Sequence, residues 1–355
     1  MVAGCGALGN EVLKNLALMG AGKITLVDFD RVEEGNLSRS VLYTKADVGQ
    51  WKVSVAAKRL KEMNSMMQVR TICGDVAYDV GLGLVRQMDV VIGCVDSRWA
   101  RYCINRLCMR AGVPWVDGGI DMLEGTVRVF VPGKNCYACN LGPEGLKDLR
   151  RRMPCSGSIR RNEEAGHAPT TSITASVTGA VQVQEALKLL HPEADASSLC
   201  GKMFYYEGAH LSTRLVDFRA YDPDCPVHDR WEPVRETAVG PDMSVREALS
   251  RLQEELEAPR ATLHLSGDCF VDRVYRRSDN RETPVMLPGR AVASFVQRDP
   301  ELSGLPLSAL YQHEYREIDS SFPYPSLSLR ELGIPEQDVL SVSTPSGDYY
   351  MEMTR

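Results

Sequence analysis

Apolar and polar residues alternate along the first two thirds of the chain in blocks that predict strands and helices in turn. Val2-Ala3 reads as a strand running into Gly4-Cys5-Gly6-Ala7-Leu8-Gly9, and residues 10–19 follow a helical pattern. The run 23–27 predicts a buried strand that ends in Asp28-Phe29-Asp30. A helix over 52–63, a strand over 90–95, a helix over 99–111 and strands at 115–117 and 125–131 come next. The stretch from Leu141 to about Pro169 is irregular; one long apolar helix over 170–190 and strands at 202–207 and 213–220 follow it. This alternation predicts a doubly wound α/β domain.

Past residue 241 the rhythm changes. Residues 244–256 predict a helix with Val245, Leu249, Leu252 and Leu256 on one face, followed by strand-like pieces at 260–265 and 271–275. A short helix over 328–333 ending at Gly333, then strands at 338–343 and 348–353 around a Pro-Ser-Gly turn, complete an α+β pattern. The proline-bearing stretch 233–241 reads as a linker between domains at 1–232 and 242–355. A length of 355 residues agrees with two domains.

Composition narrows the class. Hydrophobic residues make up 44% and charged residues 25%, as in ordinary globular proteins. No apolar run approaches the roughly 18 residues of a membrane span, and no secretory signal opens the chain. The formal charge of −6 argues against a general nucleic-acid binder. Eleven cysteines read as reduced thiols, with a few reserved for metal or chemistry, so the expected compartment is the cytoplasm. The abrupt opening on a strand suggests that an N-terminal arm is missing.

The first turn carries the first chemistry. Gly4, Gly6 and Gly9 let the backbone turn tightly and approach a phosphate, which the N-terminus of the following helix would bind. Asp28, 19 residues after Gly9, would reach a ribose hydroxyl. A nicotinamide dehydrogenase begins the same way, so this turn leaves the nucleotide open. Arg39 and Lys52 place two cations on loops at the carboxyl ends of parallel strands, and Asp96 ends a third strand. Taken singly, each would be a solvated charge, and Asp96 a helix cap. Together they suit ATP: the cations neutralise the triphosphate and the acid holds Mg²⁺.

Two further groups of thiols stand out. Cys136-Tyr-Ala-Cys139 and Cys225-Pro-Val-His228 are x₂-spaced pairs that suit tetrahedral Zn²⁺, the alternative being ordinary thiols beside a turn. Cys155 lies in a loop rich in cations, with Lys147, Arg150, Arg151, Arg152, Arg160 and Arg161 nearby, a setting that stabilises a thiolate. His167 is a possible proton shuttle or a solvated loop histidine. Cys5, Cys73, Cys94, Cys103 and Cys108 sit in strand or helix patterns and are expected in the core.

Five motifs in order, Gly4–Gly9, Asp28-Phe29-Asp30, Asn36-Leu37-Ser38-Arg39, Gly49-Gln50-Trp51-Lys52 and Cys94-Val95-Asp96-Ser97, resemble the ThiF/MoeB/HesA family of adenylating enzymes. That family includes the adenylation domains of ubiquitin-like-protein activating enzymes. The resemblance implies a Rossmann-like adenylation domain with a zinc knot. In it Asp28 contacts the ribose, Asn36, Arg39 and Lys52 hold phosphates, and Asp96 binds Mg²⁺; Asp30 and Ser97 belong to the same motifs. Ser40 stands where the family usually has glutamine. Met153-Pro154-Cys155-Ser156-Gly157-Ser158-Ile159-Arg160 resembles the crossover-loop segment, within 141–169, that carries the nucleophilic cysteine of activating enzymes. Cys155 would then hold the ubiquitin-like protein as a thioester. The C-terminal stretch resembles a β-grasp, ubiquitin-fold-like domain that recruits a conjugating enzyme. The implied function is ATP-dependent activation of a ubiquitin-like protein with a C-terminal glycine, by a homodimer or heterodimer, the tail lying on an open face near Asp117-Gly118-Gly119. The rivals are an adenylyltransferase for a sulfur-carrier protein, a non-catalytic scaffold subunit and, more distantly, a dehydrogenase.

Overall fold

The structure, a computed structural model, describes residues 1–151, 170–191 and 199–354. It divides into two compact units. The first takes Met1–Ala77, Val85–Pro143 and the described residues from Thr170 to Arg230, and the second takes Tyr78–Leu84, the described residues from Glu144 to Arg151 and the chain from Trp231 onward.

Eight strands of the first unit share one sheet. They are β1 (Val2–Ala3), β2 (Lys23–Val27), β3 (Gln68–Ile72), β4 (Val91–Gly93), β5 (Trp115–Asp121), β6 (Glu124–Phe130), β7 (Lys202–Glu207) and β8 (Ser212–Asp217). The spatial order is β3-β2-β1-β4-β5-β6-β7-β8. The first five pair in parallel and the last three continue antiparallel. The helices are α1 (Ala7–Leu18), α2 (Lys52–Met63), α3 (Leu82–Arg86), α4 (Arg98–Ala111), α5 (Tyr137–Arg151) and α6 (Ser172–Leu190). From β1 the chain winds to β2 and β3 on one side and then crosses to β4 on the other. The strand order therefore reverses between β1 and β4, and ligands of such sheets bind in the crevice outside that point.

The central strands β1, β2 and β4 are apolar and buried apart from Lys23 and Thr25, because both of their faces are covered, whereas β3 and β8 at the edges are polar and largely exposed. Val2, Leu26, Ile92 and Val116 meet Leu13 and Val12 of α1 in one continuous core. The helix expected over 170–190 as one long apolar helix is α6 (Ser172–Leu190), but its buried face is not wholly apolar. Gln182 is fully buried and its amide donates to the Gly93 carbonyl at 2.9 Å, tying α6 to the end of β4.

Several expectations are corrected here. The stretch after Leu141 is not irregular throughout: α5 runs to Arg151, broken at Gly142, whose φ of 65° is left-handed. Cys5, Cys103 and Cys108 are buried and Cys94 is half-buried, whereas Cys73 is exposed, because it follows the edge strand β3. Residues 234–237 are not a linker: they form β9, which pairs in parallel with the last strand.

The second unit holds β9 (Val234–Thr237), α7 (Val245–Glu255), β10 (Thr262–His264), β11 (Phe270–Arg276), β12 (Glu282–Pro288), α8 (Gly289–Arg298), β13 (Leu310–Tyr315), β14 (Glu317–Ile318), β15 (Val339–Thr344) and β16 (Gly347–Met353). Two sheets form, β14-β10-β15-β16-β9 and β12-β11-β13. Helix α7 starts on a capping box in which the Ser244 and Glu247 side chains accept from each other's backbone N–H. Its Val245, Leu249 and Leu252 enter a core with Leu263, Val342 and Met351. The α+β class stands. Residues 328–333 are turns rather than a helix, with Ser328 bonded to Glu331.

The smaller sheet has its own core, built on Val271, Val274, Val292 and Val296. At its margin Asp272, 1% exposed, accepts hydrogen bonds from His313 and Arg273 and from the Tyr324 hydroxyl at 2.8 Å. Burial pushes that carboxyl up, but these donors win and hold it below its ordinary range.

Candidate functional site

The site is built outward from the glycine turn. Gly4 has a φ of +98°, and a Cβ there would sit 2.5 Å from the Cys94 carbonyl oxygen. The β1–α1 turn and the β4–α4 loop therefore touch backbone to backbone, which only glycine permits. A Cβ on Gly9 would collide with the Gly4 carbonyl, so α1 can start this close to β1 only with glycine there. Gly9→Ala is expected to destabilise the protein by about 1–3 kcal/mol, read from the urea midpoint at unchanged slope. On the open side, a Cβ on Gly6 would meet nothing within 4 Å. Gly6 is the N-cap of α1 and supplies no side-chain cap, so the first N–H groups of the helix are left for a ligand.

Asp28 follows β2 and braces this turn. One of its oxygens accepts the Cys5 N–H at 2.6 Å and the other the Asp30 N–H at 2.8 Å. Burial raises its carboxyl above the ordinary range, against the pull of Lys52 and the two N–H donors. Lys52 opens α2 with its side chain 10% exposed, and its ammonium lies 2.7 Å from the exposed carboxylate of Asp30. The long β2–α2 connection thus returns a buried cation to the acids that end β2.

The remaining predicted residues lie on the same rim. Asn36 and Arg39 belong to the β2–α2 connection. Asn36 accepts the Glu33 N–H at 3.0 Å, and the Arg39 guanidinium donates to the Gly35 carbonyl at 2.8 Å. Asp96 is exposed beyond β4. It does not cap α4; Ser97 does, accepting the Ala100 N–H at 3.0 Å. That bond uses Ser97 Oγ as an acceptor and leaves its O–H able to donate. Ser40, in place of the family's glutamine, is buried, and its hydroxyl has no hydrogen-bond partner among the described residues.

One expectation fails. Asp117 is fully buried and does not face an open surface. Arg101 donates to it at 2.9 Å, and Arg128, its cross-strand neighbour on β6, lies 2.5 Å away. The hairpin register that brings Asp117 and Arg128 opposite each other was the signal for this pair, and it needs the turn at Met122 to be placed first.

A second cluster gathers the two x₂ pairs. The Cys136 sulfur is 3.6 Å from that of Cys139 and 3.7 Å from that of Cys225, and the Cys139 sulfur is 3.2 Å from His228 Nε2. All four ligand atoms lie within 4.8 Å of one another. A tetrahedral ion with metal–sulfur bonds of ~2.3 Å sets sulfur–sulfur edges of about 3.8 Å, so the donor set fits a metal of that size. The hydrogen bond with Cys225 pulls the Cys136 thiol below its ordinary range, against its burial. Tyr221 stacks on the His228 ring at 4.5 Å and Asn140 donates to the Cys136 carbonyl, which fixes the ligand loops. Cys155 and His167 lie outside the described residues.

A reversed strand order, an open glycine turn and a cation held beside two acids define an α/β nucleotide-binding protein. The chain belongs to the ThiF family, whose model matches residues 1–227. It is 32% identical over 227 residues to the SAMP-activating enzyme E1 of Haloferax volcanii, covering 64% of this chain and 78% of that one. It is 33% identical to the sulfur carrier protein adenylyltransferase of Thermus thermophilus, covering 64% and 80%. The mouse adenylyltransferase and sulfurtransferase MOCS3 is 33% identical over 64% of this chain and 46% of its own. Among solved structures, E. coli MccB with ATP shares the fold, with a TM-score of 0.52 at 24% identity over 64% of this chain and 65% of that one. Family membership settles the ambiguity of the glycine turn against a dehydrogenase.

Proposed function

We propose that the protein uses ATP to adenylate the C-terminal glycine of a small ubiquitin-like or sulfur-carrier protein. The observation that carries this reading is the Lys52–Asp30–Asp28 cluster beside the open glycine turn, in a chain whose relatives are named for carrier-protein activation and adenylylation. The glycine carboxylate attacks the α-phosphorus of ATP, the bond to the β-phosphate oxygen breaks, and pyrophosphate leaves. Gly4, Gly6 and Gly9 shape the phosphate site, Asp28 holds the ribose, and Asn36, Arg39 and Lys52 face the phosphates. Asp96 would hold Mg²⁺, which when bound offsets the charge of the triphosphate. Cys136, Cys139, Cys225 and His228 would hold Zn²⁺, which when bound ties the start of α5 to the segment after β8.

The finer reading adds a second step. The Cys155 thiolate attacks the acyl carbon, AMP leaves, and the carrier is held as a thioester for transfer to a conjugating-enzyme cysteine. The α+β unit would dock that enzyme; its helix on a mixed sheet, with first and last strands β9 and β16 parallel, supports the ubiquitin-fold resemblance. The enzyme would act in the cytoplasm as a homodimer or heterodimer. A second reading, adenylation for a sulfur carrier without a thioester, is favoured by the named Thermus relative.

The test uses a glycine-tailed candidate carrier with ATP and magnesium. Wild-type protein is expected to catalyse ATP–pyrophosphate exchange and to form an adduct that dithiothreitol releases. Cys155→Ala is expected to keep the exchange within about threefold and lose the adduct. Exchange with no adduct in the wild type selects the sulfur-carrier reading. Absence of exchange with intact ATP binding selects a scaffold role.

A further inference from the structure

The turn that the nucleotide would approach is held from behind by two side chains that the sequence did not single out. Asn10, on the first full turn of α1, is fully buried. Its amide donates to the Cys5 carbonyl at 2.8 Å and to the Gly6 carbonyl at 2.9 Å. Its own oxygen accepts the Leu42 N–H at 2.9 Å, which draws the segment after Ser40 under the turn. That segment delivers Tyr43, 5% exposed, whose hydroxyl donates to the same Cys5 carbonyl at 2.6 Å. Burial pushes the Tyr43 phenol well above its usual range, so it stays a donor. The Tyr43 hydroxyl also lies 3.5 Å from the Lys52 carbonyl, so one ring spans the glycine turn and the start of α2.

The consequence follows from peptide planarity. In a trans peptide the C=O and the next N–H point in opposite directions. With the Cys5 carbonyl held inward by two donors, the Gly6 N–H of the same plane must point outward. The Gly6 N–H has no partner among the described residues, and a Cβ on Gly6 would meet nothing within 4 Å, so the turn is uncrowded there. The preceding peptide is fixed as well, since the Cys5 N–H is taken by Asp28. Both peptide planes of Cys5 are therefore set before a ligand arrives.

We infer that Asn10 and Tyr43 are positioning residues for the proposed adenylation, acting through the Cys5 carbonyl to aim the Gly6 N–H at the nucleotide phosphates. This rests on the functional reading above. A donor already aimed needs no reorientation on binding, so losing the clamp weakens nucleotide capture more than it slows the chemical step.

The test is Tyr43→Phe, which removes one oxygen and leaves Asn10 bonded to Cys5. In ATP–pyrophosphate exchange the KM for ATP is expected to rise about tenfold with kcat within twofold. The thermal upshift given by Mg·ATP should shrink in parallel. Asn10→Ala in the Tyr43→Phe background should cost less than the product of the two single effects, because both act on one carbonyl. A Tyr43→Phe protein with a lowered melting temperature but an unchanged KM and an unchanged ATP upshift would overturn the inference, leaving a purely structural hydroxyl. A wild type that gains no thermal stability from Mg·ATP would overturn the functional reading itself. A wild type that binds ATP without exchange still tests the clamp through the thermal upshift.

Discussion

Lys52→Ala is expected to lower ATP–pyrophosphate exchange at least a hundredfold while leaving the protein folded. Lys52 is a buried cation whose charged end emerges beside Asp30, with the open glycine turn across the same rim. In ligand-free protein its partner is an exposed carboxylate, and such a pair adds at most about 1 kcal/mol to stability. Its loss therefore leaves Asp30 to water, at little cost to the fold. The triphosphate has no such escape. As the α–β bond breaks, negative charge grows on the leaving pyrophosphate, and Lys52 is a fixed cation on that rim. Removing one fixed donor of positive potential from such a site typically costs about 10²–10³ in rate, or roughly 2.7–4 kcal/mol. Exchange kinetics with saturating carrier, alongside a thermal melt, separate the two effects. Exchange within threefold of wild type would remove Lys52 from the phosphate site.

The second large effect concerns the cysteine–histidine cluster. Metal analysis of purified protein is expected to give one zinc per chain, and a strong chelator should lower the melting temperature by more than about 10 °C. Structural zinc sites of this composition contribute apparent binding energies of roughly 10–16 kcal/mol, and that energy is folding energy when the site does not persist in the unfolded chain. Here Cys136 and Cys139 lie at the start of α5 while Cys225 and His228 come more than eighty residues later, so the ion would close a long loop. Cys139→Ser should reproduce most of the chelator effect. Protons compete with the ion for thiolate and imidazole, so the chelator should act faster as the pH falls from 8 towards 6. Metal-free protein with an unchanged melt would show that the cluster is packing alone.

Most strands and helices of the first unit were legible because their blocks carry their own periodicity and turn chemistry, and the ends of β2, α2, β7 and α6 fall within a residue or two of those expected; β3, a largely exposed edge strand, and the five-residue α3 were not. The second unit was less so. Residues 234–237 look like a linker because four residues with a proline before them have no local signature; they become a strand only by pairing with β16, more than a hundred residues away. Residues 328–333 carry a helix-like apolar spacing but close as turns, since Ser328 and Glu331 satisfy each other locally. Cys73 sits in a strand-like pattern, yet its strand lies at the edge of the sheet.

What the sequence determined by itself was a set of candidate groups and the frame that presents them. Glycines at fixed spacing, acids after apolar runs and x₂ pairs of thiolate and imidazole are short-range patterns, and short-range patterns constrain the backbone directly. What only the tertiary structure decided was the state of those groups. Asp117 is a buried ion pair because β6 brings Arg128 opposite it. Lys52 is paired because a 21-residue connection folds back onto Asp30. The Cys5 carbonyl of the glycine turn is engaged twice because Asn10 and Tyr43 meet on it. Tyr43 is 38 residues from Cys5 and Lys52 is 22 from Asp30, so those pairings follow from packing, while Asp117 and Arg128 meet only once the β5–β6 register is set.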